Sequence, residues 1–409
     1  MELNHLNLIN FRNFSRLDID VPGGLVLLVG GNAQGKTSLL EAIFYMATFI
    51  SFQTANDRQL INFLVNKEPL TVARIAADIR YRNVSTSSGI SDRTHHMEVK
   101  IIQGMKNSNG VSRLRKEVLF DGLKKKMSAA LGNFNAVLFL PQMLRVIEGS
   151  PEERRRYLNM AMSQAIPNYA KMLIEYRRIV TQRNALLKQI GDRGGDIGQL
   201  SYWDEKLAST GAKLIHDRIR TIQELERIAA NIHRDLSGNQ EVLRLSYQPA
   251  FDPLEKEKSQ YSLSLDNSLD RSGISLDELK NGFMRALSKI RAEEISRGVT
   301  TIGPHRDELR FLSNGIDLGL YGSRGQARTA VLAMKLAEVD WIKEKTGQWP
   351  VLLLDEVLAE LDPVRRADLL TRIMENEQAL LTTTDLEMFS PSFVKQVQVW
   401  HIQGGRISE

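Results

Sequence analysis

Eight residues near the start of the chain have the types and the spacing of a phosphate-binding loop. The pattern Gly-x-x-x-x-Gly-Lys-Thr is formed by Gly30, Gly31, Asn32, Ala33, Gln34, Gly35, Lys36 and Thr37. In such a loop the glycines let backbone N–H groups turn toward phosphate oxygens, and the start of the next helix adds partial positive charge. We predict that Lys36 contacts the β- and γ-phosphates and that the Thr37 hydroxyl occupies a Mg²⁺ position.

A second candidate group lies near the other end of the chain. The apolar run Val351 to Leu354 predicts a buried strand, and it is followed by Asp355 and Glu356. A carboxylate at the end of that strand would lie beside the Mg²⁺, and Glu356 would orient or deprotonate an attacking water. Asp355 lies 319 positions after Lys36. The two halves of one nucleotide site would therefore come from opposite ends of the chain, with a large insertion between them.

A third motif, Ser323-Arg324-Gly325-Gln326, precedes the second group. A serine hydroxyl and free backbone N–H groups at a helix start predict another anion site. The order of phosphate-binding loop, Ser-x-Gly-Gln, strand with Asp-Glu, and then Glu360-Leu361-Asp362 resembles that of ABC-type ATPases. This resemblance implies that Ser323, Gly325 and Gln326 of one protomer close over the γ-phosphate held by another. Asp362 would support the contact between the two protomers.

Several longer stretches resemble one particular branch of the ABC-type ATPases. The opening MELNHLNLINFRNF is similar to that of SMC-type ABC ATPases. The chain is similar to the RecF family of bacterial recombination mediators over residues 1 to about 385. Four stretches carry this similarity: GPHRDEL, YGSRGQARTAVLAMKLAE, LLLDEVLAELD and SPEERRRYL. The resemblance implies that Arg12 contacts the nucleotide phosphates and that Gln142 ligates the metal or a water near the γ-phosphate.

The chain departs from the family pattern in two places. RecF proteins often have Asp-Asp where this chain has Asp355-Glu356, and they usually have basic residues where it has Gln53 and Asn56. Hydrolysis is therefore expected to be nearer to that of other ABC ATPases, and the neutral side chains of Gln53 and Asn56 do not favour a DNA contact there. Thr382 to Thr384 stand where transporter ATPases place a histidine, as is typical of RecF relatives.

The resemblance implies a function in DNA replication, the response to DNA damage (the SOS response) and recombinational repair. ATP with Mg²⁺ would close a head-to-tail homodimer on DNA, at gaps or single-strand/double-strand junctions. The protein would help load RecA together with the partner RecR, and functionally with RecO. It would be a weak ATPase in which slow hydrolysis resets the clamp. Two alternatives stay open, an SMC-like chromosome clamp and an ABC transporter ATPase subunit, whereas the Ser-x-Gly-Gln motif disfavours a small-molecule kinase.

The apolar patterns predict the elements that would position these motifs. The apolar run Leu25 to Val29 predicts a buried strand, and the apolar spacing over Thr37 to Thr48 predicts a helix. Alternation over 73–81 and 97–101 predicts an antiparallel flank, joined by a Ser/Thr-rich loop at Asn83 to Thr94. Helices are expected from Pro151 to Leu236 with a glycine-rich break at Gly191 to Gly198.

The last third of the chain is expected to alternate helix and strand after a polar linker at Asp252 to Gly273. The predicted fold is α/β: an ABC-type ATPase head, with a mixed sheet carrying the phosphate-binding loop and an antiparallel flank, and an inserted α-helical lobe. We place the two parts of the head at 1–140 and 251–409 and the lobe at 141–250.

The amino-acid composition excludes several other classes of protein. The 409 residues are 42% hydrophobic and 25% charged, as in globular proteins of two or three domains. The absence of cysteine excludes disulfides, thiolate zinc sites, iron–sulfur clusters and a cysteine nucleophile. Apolar runs reach only about five residues, and the first residues lack a basic-then-apolar signal. We therefore expect a cytoplasmic protein without a membrane partner.

Basic residues are concentrated in two segments. The net charge is +5, yet Lys100 to Lys126 carries eight basic and two acidic residues, and Glu152 to Lys188 carries eight basic and three acidic. The rest of the chain is therefore net acidic. Concentrated basic charge is typical of polyanion binding, although a solvated basic surface is the alternative.

Overall fold

Both ends of the chain contribute strands to one sheet. In spatial order these are β15 (Arg406–Ser408), β14 (Gln398–Gln403), β3 (Gly24–Val29), β13 (Gln378–Thr383), β12 (Val351–Asp355) and β8 (Ala136–Phe139). All neighbours are parallel except β14 and β15. The residues of β8, β12 and β13 are buried throughout, as expected for parallel strands covered on both faces. The predicted mixed sheet is confirmed.

A second sheet is antiparallel throughout. Its order is β2 (Phe14–Asp20), β1 (Glu2–Phe11), β4 (Thr71–Thr86), β5 (Gly89–Lys106), β6 (Ser112–Phe120) and β7 (Leu123–Lys125). The predicted antiparallel flank is confirmed, but the predicted loop over 83–94 is wrong. β4 and β5 stay paired as far as Thr86 and Gly89. Backbone ladder bonds alone can extend a hairpin beyond its apolar part, so a polar composition does not end it.

The computed structural model describes residues 1–65, 70–86, 89–106, 112–251, 271 and 273–408. Most of the linker predicted at Asp252 to Gly273 lies outside these residues. The chain forms two compact units: Met1–Met143 with Gln164–Ile166 and Glu338–Glu409, and Leu144–Ser163 with Pro167–Ala337. The domain limits that the sequence suggested stay a prediction.

The first unit contains both large sheets and the helices that follow their strands. These are α1 (Lys36–Thr48), α2 (Met127–Ala130), α10 (Pro363–Met374) and α11 (Pro391–Val394), with single turns of 3-10 helix at Asp57–Leu60 and Val357–Glu360. α1 packs against β8 and β12. Because α1 follows β3 directly, its N-terminus lies at the carboxyl edge of the parallel sheet, where ligands bind in such folds.

The second unit is mainly helical. Its elements are α3 (Arg145–Glu148), α4 (Pro151–Ala165), α5 (Tyr169–Arg193), α6 (Leu200–Leu236), α7 (Leu276–Arg297), α8 (Leu318–Tyr321), the greater part of α9 (Arg324–Thr346), and a sheet of β9 (Leu243–Gln248), β10 (Glu308–Ser313) and β11 (Ile316–Asp317). The glycine break between α5 and α6 and the start of α4 at Pro151 are as predicted. Among the described residues, no helix combines the length and the apolar composition that crossing a bilayer requires.

Candidate functional site

The phosphate-loop pattern forms the turn between β3 and α1. Gly35 has φ 120°, and a Cβ there would lie 2.6 Å from the Asn13 side-chain nitrogen. At Gly30 a Cβ would lie 2.4 Å from the carbonyl oxygen of Ile402 on β14. Packing around the loop therefore requires glycine at both positions. Gly35 provides no side-chain cap for α1, so the first N–H groups of this helix are available to an anion.

Lys36 is a buried cation inside this loop. Its Nζ donates to the carbonyl oxygens of Gly30 at 2.7 Å and Gly31 at 3.0 Å, and it lies 3.6 Å from Glu356 Oε1. The side chain is only 4% exposed. Hydrogen bonds between an ammonium and a phosphate are stronger than those to neutral carbonyls. An entering phosphate would therefore compete well for this lysine.

Thr37 and Asp355 meet in the same place. Thr37 Oγ1 donates to Asp355 Oδ1 at 3.0 Å, and Thr382 Oγ1 donates to the same oxygen at 2.9 Å. Burial raises the pKa of Asp355, and the hydrogen bonds from Thr382 and Thr37 oppose that rise. A cation beside Asp355 would offset the cost of burying its charge. Mg²⁺ is commonly held by one or two carboxylates together with phosphates and waters, so this pair of residues fits the metal.

The Glu356 carboxylate lies close to the phosphate-binding loop, with Oε1 3.6 Å from Lys36 Nζ. Its backbone is left-handed, with φ 52°, and its N–H donates to Thr382 Oγ1 at 2.9 Å. Thr382 therefore bonds to both members of the Asp-Glu pair. Sequence reasoning treated this threonine only as the replacement for a histidine and missed its contact with the two carboxylate residues. A hydroxyl at the end of the strand next to β12 was the available signal.

A cavity of about 540 Å³ lies beside these residues, and Lys36, Thr37 and Glu356 line it. Its lining consists of Arg12, Asn13, residues 32–38, Gln53, Gln59, Ile61, Phe63 and Glu356. Small-molecule sites usually have volumes of about 300–1,000 Å³. The cavity is therefore large enough for a nucleotide, and the loop that the sequence identified forms one of its walls.

Arg12 and Asn13 form another part of the wall. Arg12 donates through Nε and Nη2 to the two oxygens of Glu41, at 2.6 and 2.8 Å. Asn13 Nδ2 donates to the Gln34 carbonyl at 3.0 Å and so holds the loop. Gln53, where the family usually has a basic residue, also lines this cavity. Sequence reasoning missed Asn13 and Glu41.

Gln142 is not among the lining residues. It is exposed in the 3-10 turn Pro141–Leu144, which follows β8. Its predicted contact with metal or water stays a prediction. The structure brings together Lys36, Thr37, Asp355 and Glu356, with Arg12 on the same cavity.

Ser323, Gly325 and Gln326 belong to the second unit. Ser323 Oγ accepts from the Gln326 N–H at 3.2 Å, and Gln326 Oε1 accepts from the Ser323 N–H at 3.0 Å. This reciprocal pair is a capping box that starts α9. Ser323 and Gly325 are exposed. Asp362 is a simple N-cap of α10, accepting from the Val364 and Arg365 N–H groups, so Ser323 and Asp362 both also have a structural role.

His305, Arg306 and Asp307 do not bond to one another. His305 Nδ1 pairs with the Tyr176 hydroxyl at 2.8 Å, and burial lowers the pKa of His305 to about 4. The buried Asp307 accepts from Arg218 Nη1 at 2.7 Å, whereas Arg306 is exposed. The linked network considered from the sequence is replaced by two separate buried contacts, which hold the turn before β10.

Part of the basic charge is used within the fold. Lys124 and Arg115 both pair with Glu117 at 2.6 Å. In the second basic segment, Arg154 pairs with Glu308 at 2.7 Å. Lys100 and Lys116 are also paired with carboxylates, and Arg183 is completely buried. The candidates for contact with a polyanion are therefore the solvent-accessible basic residues of these segments, including Lys124, which stays 67% exposed despite its pair with Glu117.

The comparisons with known proteins identify the family of this chain. Residues 2–408 match the family described as the RecF/RecN/SMC N terminal domain. The chain is 37% identical to the DNA replication and repair protein RecF of Chloroflexus aurantiacus, covering all of this chain and 99% of that protein. It is 36% identical to RecF of Lacticaseibacillus paracasei, over the full length of both chains.

Solved structures also indicate similarity to RecF. One, described as the recombination mediator protein RecF-ATP in the RecFOR pathway, superposes with a TM-score of 0.79 at 28% identity and covers 99% of this chain and 96% of that chain. The match therefore covers the residues of both units. The chain belongs to the RecF family, within the group that shares the RecF/RecN/SMC N terminal domain.

Proposed function

We propose that this chain is an ATP-dependent DNA-binding protein of DNA replication and recombinational repair, located in the cytoplasm, with weak ATPase activity. One observation carries the proposal: residues from opposite ends of the chain, Lys36 and Thr37 with Asp355 and Glu356, line or adjoin one nucleotide-sized cavity. Membership of the RecF family supports it, because the relatives are named for DNA replication and repair.

Each residue at the cavity has a proposed part in ATP binding and hydrolysis. Lys36 and the N–H groups of the loop neutralise and hold the β- and γ-phosphates. Thr37 and Asp355 would hold Mg²⁺, which supplies positive charge to the phosphate oxygens, and Gln142 is proposed as a further ligand. Glu356 orients a water and accepts its proton. Thr382 keeps the two carboxylate residues in place.

A second copy of the chain would complete the site. Ser323 and Gly325 are exposed at the N-terminus of α9, where N–H groups and the helix dipole favour an anion. Together with Gln326 they are proposed to contact the γ-phosphate held by the other protomer of a head-to-tail homodimer. Asp362 would support that contact. ATP would close the dimer on DNA at gaps or junctions, where it would help load RecA with RecR and RecO, and slow hydrolysis would release it.

The length of the helices distinguishes this proposal from an SMC-like chromosome clamp. The longest helix among the described residues is α6, with 37 residues, which corresponds to about 55 Å. An SMC clamp requires arms of hundreds of residues. A transporter ATPase subunit would need a membrane partner, and DNA-dependent behaviour of the purified protein separates that alternative from our proposal.

Light scattering tests the proposal directly. We expect a monomer without nucleotide and a dimer with ATP and Mg²⁺, which gapped DNA stabilises further. Glu356→Gln should accumulate the ATP-bound dimer because hydrolysis is slow, and Lys36→Met should stay monomeric. A protein that remains monomeric with ATP and binds gapped DNA equally well without it would contradict the proposal. Titrations with gapped, duplex and single-stranded DNA then identify the preferred structure.

The basic segments supply a separate test of the DNA site. Changing Lys124, Lys125 and Lys126 together to Gln should weaken DNA binding. It should flatten the slope of log K against log salt by about 0.9 for each DNA phosphate that the variant no longer neutralises. A matched control changes three lysines outside the segments, Lys206, Lys280 and Lys395. Equal effects of the two triple variants would show that only the net charge of the protein matters.

A further inference from the structure

Glu41 is a buried carboxylate with no part in the functions described above. It lies on α1, one turn after Thr37, and is completely inaccessible to solvent. Its two oxygens accept from Arg12 Nε at 2.6 Å and Arg12 Nη2 at 2.8 Å. Ser51 Oγ donates to the same carboxylate. A buried charge is expensive unless it is paired and hydrogen-bonded, so these contacts form a built network.

Three segments of the cavity wall meet at this carboxylate. The turn that carries Arg12 follows β1, Glu41 is on α1, and Ser51 begins the segment that contains Gln53 and Gln59. Ser51 Oγ also accepts from the Gln53 N–H at 3.0 Å. Arg12, Gln53 and Gln59 all line the cavity. Glu41 therefore connects the walls of the cavity from behind, without lining it.

The geometry of the guanidinium indicates what Glu41 leaves available. Arginine has five N–H hydrogens in a planar fork. Glu41 takes the side formed by Nε and Nη2, and the Gln59 carbonyl accepts from Nη1 at 3.0 Å. Among the described residues these three oxygens are the only acceptors for Arg12, so one hydrogen on Nη1 and one on Nη2 remain. Arg12 therefore keeps two N–H groups that can donate to an anion such as a phosphate.

The backbone supports Arg12 but does not orient its side chain. Arg12 has a left-handed φ of 52°, and its N–H donates to the Leu60 carbonyl at 2.7 Å. The flexible side chain beyond Cβ depends on Glu41 and the Gln59 carbonyl for its direction. Ordering a free arginine at the moment of binding would cost rotamer entropy. The ion pair with Glu41 would remove that cost in advance.

We propose that Glu41 is a positioning residue for the nucleotide: it holds the guanidinium of Arg12 with two N–H groups available to a phosphate and ties the segment 51–59 to the same wall. The inference rests on the proposed function, because it assumes that the cavity takes a nucleoside triphosphate. It predicts that Glu41 acts on ATP binding through Arg12. The supporting partners of metal ligands, which act in the same indirect way, are worth about 10- to 100-fold.

A double-mutant cycle on ATP affinity tests this inference. The full-length protein and the variants Arg12→Ala, Glu41→Gln and the double variant are titrated with ATP and Mg²⁺ by calorimetry, and thermal unfolding is followed in parallel. Glu41→Gln should weaken ATP binding about tenfold. In the Arg12→Ala background the same change should have little further effect. Equal losses in both backgrounds would show a general structural role and overturn the proposal.

Two further outcomes are decisive. Glu41→Gln also removes a negative charge that could repel ATP. A positioning role therefore predicts weaker ATP binding in this variant, whereas simple charge repulsion predicts tighter binding. ATP binding that becomes tighter would overturn the proposal. If Glu41→Gln does not fold, Arg12→Lys replaces it, since this variant keeps the charge but loses the planar fork, and wild-type affinity would overturn the inference. Failure of the wild-type protein itself to bind ATP would instead refute the proposed function.

Discussion

Thr382→Val is the sharpest test of how the candidate site is built. The change keeps the size and branching of a buried side chain but removes one hydroxyl. That hydroxyl donates to Asp355 Oδ1 at 2.9 Å and accepts from the Glu356 N–H at 2.9 Å. Burial raises the pKa of Asp355, and the variant loses the donor that opposes this rise as well as the acceptor that fixes the left-handed residue Glu356.

The size of the effect follows from these two bonds. A hydrogen bond to a charged group contributes about 1.5–3 kcal/mol, and a buried N–H left without an acceptor costs about 1–3 kcal/mol. If about 2 kcal/mol of this total is lost in the transition state for hydrolysis, kcat falls about 30-fold, because each 1.36 kcal/mol is tenfold. ATP affinity should change less, since the hydroxyl does not contact the Lys36 loop.

Phosphate release at saturating ATP and Mg²⁺ measures this effect. Thr382→Ser keeps the hydroxyl and should restore most of the rate. The matched control is Thr383→Val, because Thr383 is equally buried but its hydroxyl contacts Asp385 instead of the Asp-Glu pair. If Thr382→Val hydrolyses ATP at the wild-type rate, or if Thr383→Val slows it equally, the argument from these two bonds is refuted.

Three other variants test the structure at separate points. Lys36→Met should lower ATP affinity by about 10- to 100-fold in filter binding, because a charge-assisted bond is worth about 1.5–3 kcal/mol. Asp307→Asn leaves the buried charge of Arg218 unpaired and should cost about 3–5 kcal/mol in urea denaturation, whereas the exposed control Arg306→Ala should change stability by less than about 0.5 kcal/mol. Burial lowers the pKa of His305 to about 4, so the folded state favours the neutral ring. The stability that this ring contributes is complete above pH 6.5 and decreases by at most about 3 kcal/mol as the pH falls toward 4, a slope that His305→Gln should flatten.

The sequence was sufficient for the elements and motifs whose signals are local. The glycine and lysine spacing after an apolar run predicted the turn between β3 and α1, and the run before Asp355 predicted β12. Local spacing is informative because the backbone periods of helix and strand are fixed and burial selects apolar residues at those periods. The same reasoning failed at Asn83 to Thr94, where pairing between neighbouring strands outweighed a polar composition.

A charged residue inside an apolar helix was a signal that sequence reasoning did not use. Glu41 stands in the run Leu39-Leu40-Glu41-Ala42-Ile43, where both neighbours on each side are buried. Such a carboxylate needs a partner, since an unpaired buried charge is costly. The sequence alone indicates that a cation should be nearby, but it does not say that the cation is Arg12, 29 positions earlier.

What the sequence determined by itself was the chemistry available: a phosphate-binding loop, a pair of carboxylates after an apolar strand, and a Ser-x-Gly-Gln motif at a helix start. Only the tertiary structure decided which of these groups meet. β13 lies between β3 and β12 in the sheet, and that order places Thr382 beside Asp355 and brings Thr37 within 3.0 Å of it. Strand order is set by how buried faces and ladder bonds fit together across the whole unit, and contacts between positions more than 300 residues apart leave no periodic trace in the sequence.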